Sequence, residues 1–176
     1  MSILKLIKSD SSVKKLKKML EQSVYSVDFQ AYEDEIVTIQ KTRMIRSTNE
    51  KQFARQFEET IIGNSLENTR NRARLSELHL ELSLKANKLR SHMKDMQKYL
   101  SATYGGQLRK AFKTVKEREV AIDSLLHEAS SRLSEFESLI KTIEFILVDI
   151  DKAGFGLNQI ISTAEIKSRN RQMKIK

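Results

Sequence analysis

Basic side chains concentrate in residues 85–118 and give this segment the clearest chemical character in the chain. It holds ten Lys or Arg residues against Asp95 and Glu117, so its net charge is +8. Ring side chains are interleaved with these cations: His92, Tyr99, Tyr104 and Phe112. Flexible cations that neutralise phosphates, together with rings on which bases stack, are typical of sequence-tolerant single-strand binding. The segment therefore predicts polyanion binding, and the alternative interpretation is a solvated face whose rings pack under neighbouring helices.

Seven of these basic residues and two of the tyrosines are the predicted nucleic-acid contacts. Phosphate contacts are expected from Lys88, Arg90, Lys94, Lys98, Arg109, Lys110 and Lys113. Base stacking is expected from Tyr99 and Tyr104. By contrast, residues 119–151 hold eight acidic and two basic residues, a net charge of −6, and the chain becomes basic again after Glu165. Such local segregation of charge favours an anionic ligand over a uniformly solvated surface.

No arrangement of residues in the sequence indicates a catalytic or metal site. The chain lacks cysteine, which excludes thiol nucleophiles, disulfides and Cys-ligated zinc or iron–sulfur clusters. Glu119, Asp123 and His127 share a helical stripe, but the Glu-x-x-His pairs of carboxylate-bridged metal sites do not occur. The sequence also lacks a Gly-rich phosphate-binding loop. We therefore expect a non-enzymatic protein with no catalytic residues, no metal and no cofactor.

The elements that must position these residues are predicted to be helices. The chain has no proline and only five glycines, which leaves little turn chemistry for a sheet. The longest apolar run, residues 145–148, is far shorter than the ~18–20 residues of a membrane-spanning helix. The N-terminus does not read as a secretory signal, so the expected location is the cytoplasm. Residues 3–20 predict a basic amphipathic helix suited to a partner helix, to nucleic acid or to an anionic membrane, and the membrane is the least expected of these partners.

Glycines are the predicted boundaries between helical segments. Asp28 is the expected N-cap of a helix that ends at Gly63, and Ser65 is the expected cap of the next one. The Gly105-Gly106 pair is expected to form the turn of a helical hairpin. The predicted organisation is an N-terminal helical segment (1–62), a hairpin core (65–152) and a short C-terminal helix with a basic tail (153–176).

Apolar residues between positions 122 and 150 recur in steps of four and three, which is the signature of a coiled coil. The predicted core and oligomer seam comprises Ile122, Leu126, Leu133, Phe136, Ile140, Ile143, Leu147, Ile150, Phe155 and Ile160. Residues 82–100 have the same spacing, so the partner of this helix is either the earlier helix or the same helix of another subunit. The predicted fold class is all-α: a long helical hairpin or coiled-coil bundle with shorter N- and C-terminal helices, assembled as a homo-oligomer.

About half of the chain, residues 85–168, resembles a known family. Residues 136–161, FESLIKTIEFILVDIDKAGFGLNQII, resemble the C-terminal signature of the UvsY family, recombination mediators of T-even-like phages. In that signature an apolar helix ends in a Gly-Phe step and a short amphipathic helix follows. Residues 98–106, KYLSATYGG, are similar to the basic, tyrosine-rich end of the preceding helix in the family. By this resemblance Lys98 is expected to contact DNA.

The resemblance implies a small, non-enzymatic, helical protein that forms rings, binds single-stranded DNA and helps a recombinase displace single-strand-binding protein. Its expected partners are single-stranded DNA, a recombinase, single-strand-binding protein and further copies of itself, in the host cytoplasm if a phage encodes it. A ring would sum many weak phosphate contacts into a high avidity. The alternative is a coiled-coil structural or export-apparatus adaptor with no nucleic-acid role, which explains the heptads and the basic charge equally well.

Overall fold

The computed structural model describes residues 3–25, 27–42 and 57–173, and within these ranges the side chains of most residues up to 156. Every regular element in these ranges is a helix: α1 (Ile3–Ser9), α2 (Ser11–Tyr25), α3 (Phe29–Thr42), α4 (Phe57–Ala111) and α5 (Val115–Met173). The all-α prediction is therefore confirmed. In the described ranges, none of the helices combines the length and apolarity that crossing a bilayer demands.

The first of two compact units comprises Met1–Phe29 and Leu80–Ile140. Arg90 on α4 donates a hydrogen bond of 2.9 Å to Glu137 on α5. Because these two residues lie about equally far before and after the turn between the helices, α4 and α5 pack antiparallel here. The core contains the fully buried Phe136. The Phe136 ring meets that of Phe29 edge-on, with 4.7 Å between centroids, and the Arg132 guanidinium lies 5.2 Å from the Phe29 centroid.

The second unit comprises Gln30–His79 and Lys141–Lys176. Arg72 contacts Asp151 at 2.7 Å, and His79 contacts Glu144 at 3.2 Å. These two contacts lie one heptad apart on each helix and in opposite directions, so α4 and α5 are antiparallel in this unit too. The buried apolar side chains of this unit are Ile36, Ile39, Leu75, Leu78, Ile143, Ile146 and Ile150.

The turn between α4 and α5 lies at residues 112–114, and the prediction of a turn at Gly105-Gly106 is wrong. Helix α4 passes through both glycines and ends at Ala111. The Glu117 amide donates to Thr114 Oγ1 at 3.1 Å, and the Thr114 amide donates to Glu117 Oε2 at 3.2 Å. This reciprocal pair is a capping box, and its T-x-x-E pattern is a sequence signal for a helix start. The capping box, rather than the glycine pair, marks the turn.

The other predicted glycine boundaries are also wrong. Helix α4 continues through Gly63 and Ser65, and α5 continues through Gly154 and Gly156 to Met173. No glycine in the described chain has a positive φ, which a glycine helix stop requires. A helix-interior glycine costs only about 1 kcal/mol of stability relative to alanine. Packing along helices of 55 and 59 residues contributes more stabilisation than this penalty. Residues 153–173 therefore extend α5 instead of forming a separate short helix.

The start of the chain forms two helices where the sequence predicts one. Helix α1 ends at Ser9, and α2 begins after Asp10. Asp10 Oδ1 accepts a hydrogen bond of 2.7 Å from the Ser12 amide, so Asp10 is the N-cap of α2. Helix α3 begins at Phe29, directly after Asp28, as predicted.

The predicted seam of α5 coincides with the buried face of this helix, with one exception. Four of its residues are buried: Leu126, Phe136, Ile143 and Ile150. Four more are half-buried: Ile122, Leu133, Ile140 and Leu147. Phe155 is the exception, because it is 66% exposed and so lies outside the core of the described chain, while its place in an oligomer seam stays a prediction. The side chains of Ile160 and of the basic tail lie outside the described residues.

Candidate nucleic-acid interface

Five of the predicted cations lie on the solvent-facing half of α4, in the first unit. At about 100° per residue, Lys94, Lys98 and Arg109 form one stripe along the helix. Lys88 and Lys110 form a second stripe, about a quarter of a turn away. All five side chains are exposed. The structure therefore places them on one broad basic face, which we call the α4 basic face.

The cations of the α4 basic face make no ion pair with the part of the chain that the structure describes, and neither does Lys113 in the turn. Their charges are therefore available to an external anion. An exposed cation that is already paired would first have to break that pair, at a cost of up to about 1 kcal/mol. The absence of such pairs is the electrostatic basis of the candidate site.

Arg90 differs from the other predicted phosphate contacts. Its guanidinium donates to Glu137 at 2.9 Å and to the Asn87 side-chain oxygen at 2.6 Å. The charge of Arg90 is thus used to join α4 to α5 inside the first unit. Its prediction as a phosphate contact is not supported, because the local carboxylate already neutralises it.

The hydroxyls of Tyr99 and Tyr104 both bind Asp10, and the Tyr104 ring is buried. Tyr104 is only 8% exposed and donates a hydrogen bond of 2.6 Å to Asp10 Oδ2. Tyr99 is half-buried and donates to the same oxygen at 2.9 Å. We call these three residues the Asp10 clamp, since they tie the start of α2 to α4. The stacking prediction is corrected for Tyr104, because its buried ring is not open to a base. For the half-buried Tyr99, stacking stays a prediction.

The hydrogen bonds of the Asp10 clamp shift the pKa values of Asp10 and Tyr104. The hydrogen bond from Tyr104, followed by that from the Ser12 amide, lowers the pKa of Asp10 below its ordinary 3.8. The same hydrogen bond to Asp10 raises the pKa of Tyr104 from 10.0 to about 12. Both shifts favour the ionised carboxylate with the neutral phenol, which is the state in which the hydrogen bond is strongest.

A shallow open groove of about 440 Å³ runs beside the turn in the first unit. Helix α4 contributes Ser101, Gly105, Leu108 and Arg109 to its walls, and α5 contributes Val115, Arg118, Glu119 and Ile122. Arg109 and Arg118 thus reach one groove from the two helices. Arg118 is not among the predicted contacts, and its position in the basic segment 85–118 is the sequence signal for it. The groove offers a track for an anionic chain beside the α4 basic face.

The candidate metal stripe on α5 has no support from the rest of the fold. Among the described residues, no three His, Asp or Glu side chains come together as they would to hold a metal ion. His127 and Glu119 are exposed on α5. His79, outside that stripe, contacts Glu144 instead. The described part of the first unit thus presents exposed cations and no cluster of metal-ligating side chains.

The chain matches no known protein family, no curated protein and no solved structure.

Proposed function

We propose that the chain binds single-stranded DNA and acts, without enzymatic activity, as a recombination mediator that helps load a recombinase. The observation that carries the binding part is the α4 basic face together with Lys113: six predicted contacts without an ion pair in the described chain. The single-strand preference and the recombination role rest on the UvsY-like pattern of residues 98–106 and 136–161.

The expected mode of binding is phosphate neutralisation with little base preference. Lysine and arginine contacts to phosphate carry no sequence information by themselves. The burial of Tyr104 removes one of the two predicted stacking rings. Affinity should therefore depend steeply on salt and only weakly on the sequence of the strand.

A homo-oligomeric ring is part of this proposal. One subunit offers a handful of phosphate contacts, which is weak at physiological salt. Several subunits on one strand would multiply these contacts, because each later contact forms at a high effective concentration. We therefore expect affinity to rise with oligonucleotide length until the strand spans the ring.

The direct test of the binding step is fluorescence anisotropy with a labelled single-stranded oligonucleotide at salt concentrations from about 50 to 200 mM. Six phosphate contacts on a single strand predict a slope of about −4 in a plot of log affinity against log salt. Absence of binding at low salt, or an affinity that barely changes with salt, would contradict phosphate recognition.

Charge reversal at two contacts tests the location of the site. The double variant Lys98→Glu/Lys110→Glu should weaken binding of all sequences alike and flatten the salt slope. Lys141→Glu/Lys152→Glu is the matched control, since it makes the same change in net charge on exposed residues of the second unit. Equal losses in the two variants would show that total charge, and not the α4 basic face, governs affinity.

The mediator role needs its own assay, which is recombinase-driven strand exchange on DNA covered by single-strand-binding protein. The chain should shorten the lag before exchange, and Lys98→Glu/Lys110→Glu should restore the lag. A chain that binds DNA but leaves the lag unchanged would be a single-strand binder without the mediator activity.

An adaptor function is the second candidate, and a separate observation favours it. On α5 in the second unit, four large apolar side chains are half or more exposed: Phe145, Val148, Phe155 and Ile166. At about 100° per residue they occupy one stripe of α5, about a quarter of a turn wide. Contiguous exposed apolar surface is typical of a contact with another protein. A monodisperse monomer that binds no oligonucleotide would favour the adaptor over the mediator.

A further inference from the structure

The two N-terminal helices are docked in the first unit by their apolar face. Ile7, Val13 and Leu20 are buried, with exposed fractions of 4% or less. The Asp10 clamp adds two hydrogen bonds, from Tyr99 and Tyr104 on α4, at the junction of α1 and α2. The pair therefore has a defined position against α4.

Docking of the apolar face leaves the lysines of these helices on the outside. Lys14, Lys15 and Lys18 lie on the side of α2 opposite the buried Val13 and Leu20, and all three are exposed. Lys5 and Lys8 are exposed on α1. Within the described chain none of these five lysines has an ion-pair partner, whereas Lys17 contacts Glu21 at 3.4 Å. The N-terminal lysines thus form a second unpaired basic surface.

The clamp fixes where this second surface lies relative to the α4 basic face. Lys88, Tyr99 and Lys110 are spaced 11 residues apart, which is close to three helical turns, so they share one stripe of α4. Tyr99, in the middle of that stripe, holds Asp10. The docked helices therefore meet α4 between two cations that lie roughly 16 Å to either side of Tyr99 along the axis.

We propose that the N-terminal lysines and the α4 basic face form one continuous binding surface for single-stranded nucleic acid, and that Tyr99 and Tyr104 are positioning residues that hold its two halves together. The inference rests on the proposed DNA-binding function and extends it. Lys14, Lys15 and Lys18 are additional phosphate contacts.

A polyanion fits this surface better than a membrane does. An interfacial amphipathic helix binds a bilayer by inserting its apolar face. Here that face is occupied inside the unit, because Ile7, Val13 and Leu20 are already buried. The exposed side carries the five unpaired lysines beside the partly exposed Leu6 and Met19, and the lysines suit a phosphate backbone.

The first test neutralises the N-terminal lysines and measures the salt slope of oligonucleotide binding. With these three contacts added to the six above, the parent slope should be about −6, since each contact on a single strand contributes about 0.7. The triple variant Lys14→Gln/Lys15→Gln/Lys18→Gln should bring the slope back to about −4. Lys41→Gln/Lys141→Gln/Lys152→Gln is the matched control, because it removes the same charge from exposed lysines of the second unit. The control should keep the parent slope.

The second test asks whether the tyrosine hydroxyls act through the lysines. Tyr99→Phe/Tyr104→Phe keeps both rings and leaves the Asp10 cap of α2 in place. It should weaken binding in the parent chain and have no further effect in the Lys14→Gln/Lys15→Gln/Lys18→Gln background. A merely structural role would lower affinity by the same factor in both backgrounds. Hydrogen exchange should also speed up in α1 and α2 of the tyrosine variant.

The outcomes separate this inference from the proposed function. If the parent chain binds oligonucleotide and Lys98→Glu/Lys110→Glu weakens binding more than the matched control does, the function stands. If the N-terminal triple variant then keeps the parent slope, or liposomes of anionic lipid bind the parent while oligonucleotides do not, the continuous surface is overturned. Failure of the parent chain to bind any oligonucleotide overturns both.

Discussion

The hydroxyl of Tyr104 on α4 donates a hydrogen bond of 2.6 Å to the carboxylate of Asp10, a residue 94 positions earlier in the chain. Asp10 also accepts hydrogen bonds from Tyr99 and from the Ser12 amide, so it caps α2 and fastens this helix to α4 at once. The three hydrogen bonds offset the free-energy cost of partly burying this carboxylate. This single residue therefore fixes both a helix start and a long-range contact.

The Asp10 clamp should be insensitive to pH through the neutral range and should fail at both extremes. The lowered pKa of Asp10 means that its stabilising contribution is present above about pH 3.8 and is lost as the pH falls through the folded-state value. The pKa of Tyr104, raised from 10.0 to about 12, makes its contribution complete below pH 10 and lost as the pH rises toward 12.

Tyrosinate absorbance checks the alkaline limb of this prediction. In the parent chain Tyr104 should ionise near pH 12, later than an unperturbed tyrosine. Tyr104→Phe should delete the late step, and Asp10→Asn should move it toward pH 10, because the negative partner is gone. A late step that persists in Asp10→Asn would assign the shift to burial alone.

The sequence predicted the helical class and most of the buried face of α5, because a four-three apolar spacing has few interpretations other than a packed helix. The turn expected from the glycine pair was in the wrong place, because glycine only weakly disfavours a helix interior. Long-range contacts such as Tyr104 with Asp10 carry no periodic signal at all, so the tyrosines were assigned to base stacking. The Thr114 capping box was visible in the sequence and would have located the turn correctly.

Replacing Gly105 and Gly106 by alanine should stabilise the chain. Both lie inside α4, and a Cβ added at either position would meet no neighbouring atom within 4 Å. Each substitution should raise the free energy of unfolding by about 0.5–1 kcal/mol, since alanine loses less backbone entropy in a helix. Thermal melts followed by circular dichroism at 222 nm measure the change.

The same melts distinguish the observed turn from the predicted one. If the chain turned at Gly105-Gly106, alanine would be strained there and the double variant would melt earlier than the parent. Thr114→Ala is the complementary variant, because it removes the N-cap of α5 and should cost about 1 kcal/mol. A stabilised glycine variant with a destabilised Thr114 variant is the expected pair of results.

Two residues of α5 that lie half a turn apart should differ in how much an introduced carboxylate lowers the stability. Ile143 is fully buried, whereas Phe145 is 64% exposed. Ile143→Asp should lose several kcal/mol, because an unpaired carboxylate is placed in a dry core. Phe145→Asp should change stability by less than about 0.5 kcal/mol in a monomer. Urea titration at two protein concentrations measures both, and a concentration-dependent loss in Phe145→Asp would show that this face is an interface between subunits.

Asn68 should be a position where an apolar residue stabilises the second unit. Its side-chain Nδ2 and Oδ1 are both buried and find no hydrogen-bond partner among the described residues, and Asn71 Nδ2 is in the same situation. An unsatisfied buried amide costs about 1–3 kcal/mol, which Asn68→Leu should recover. The larger side chain has room, because an open groove of about 370 Å³ adjoins Asn68.

Asn158→Leu is the control for that substitution, since Asn158 lines the same groove but is exposed, and its melting temperature should stay close to the parent value. A lower melting temperature for Asn68→Leu would reveal a partner for the amide, such as a water. Buried asparagines in helical seams can also set register and subunit number at the expense of stability. If Asn68 does so here, Asn68→Leu should be more stable than the parent and should also change the mass measured by light scattering. A gain in stability without a change in mass would instead identify Asn68 as a simple packing defect.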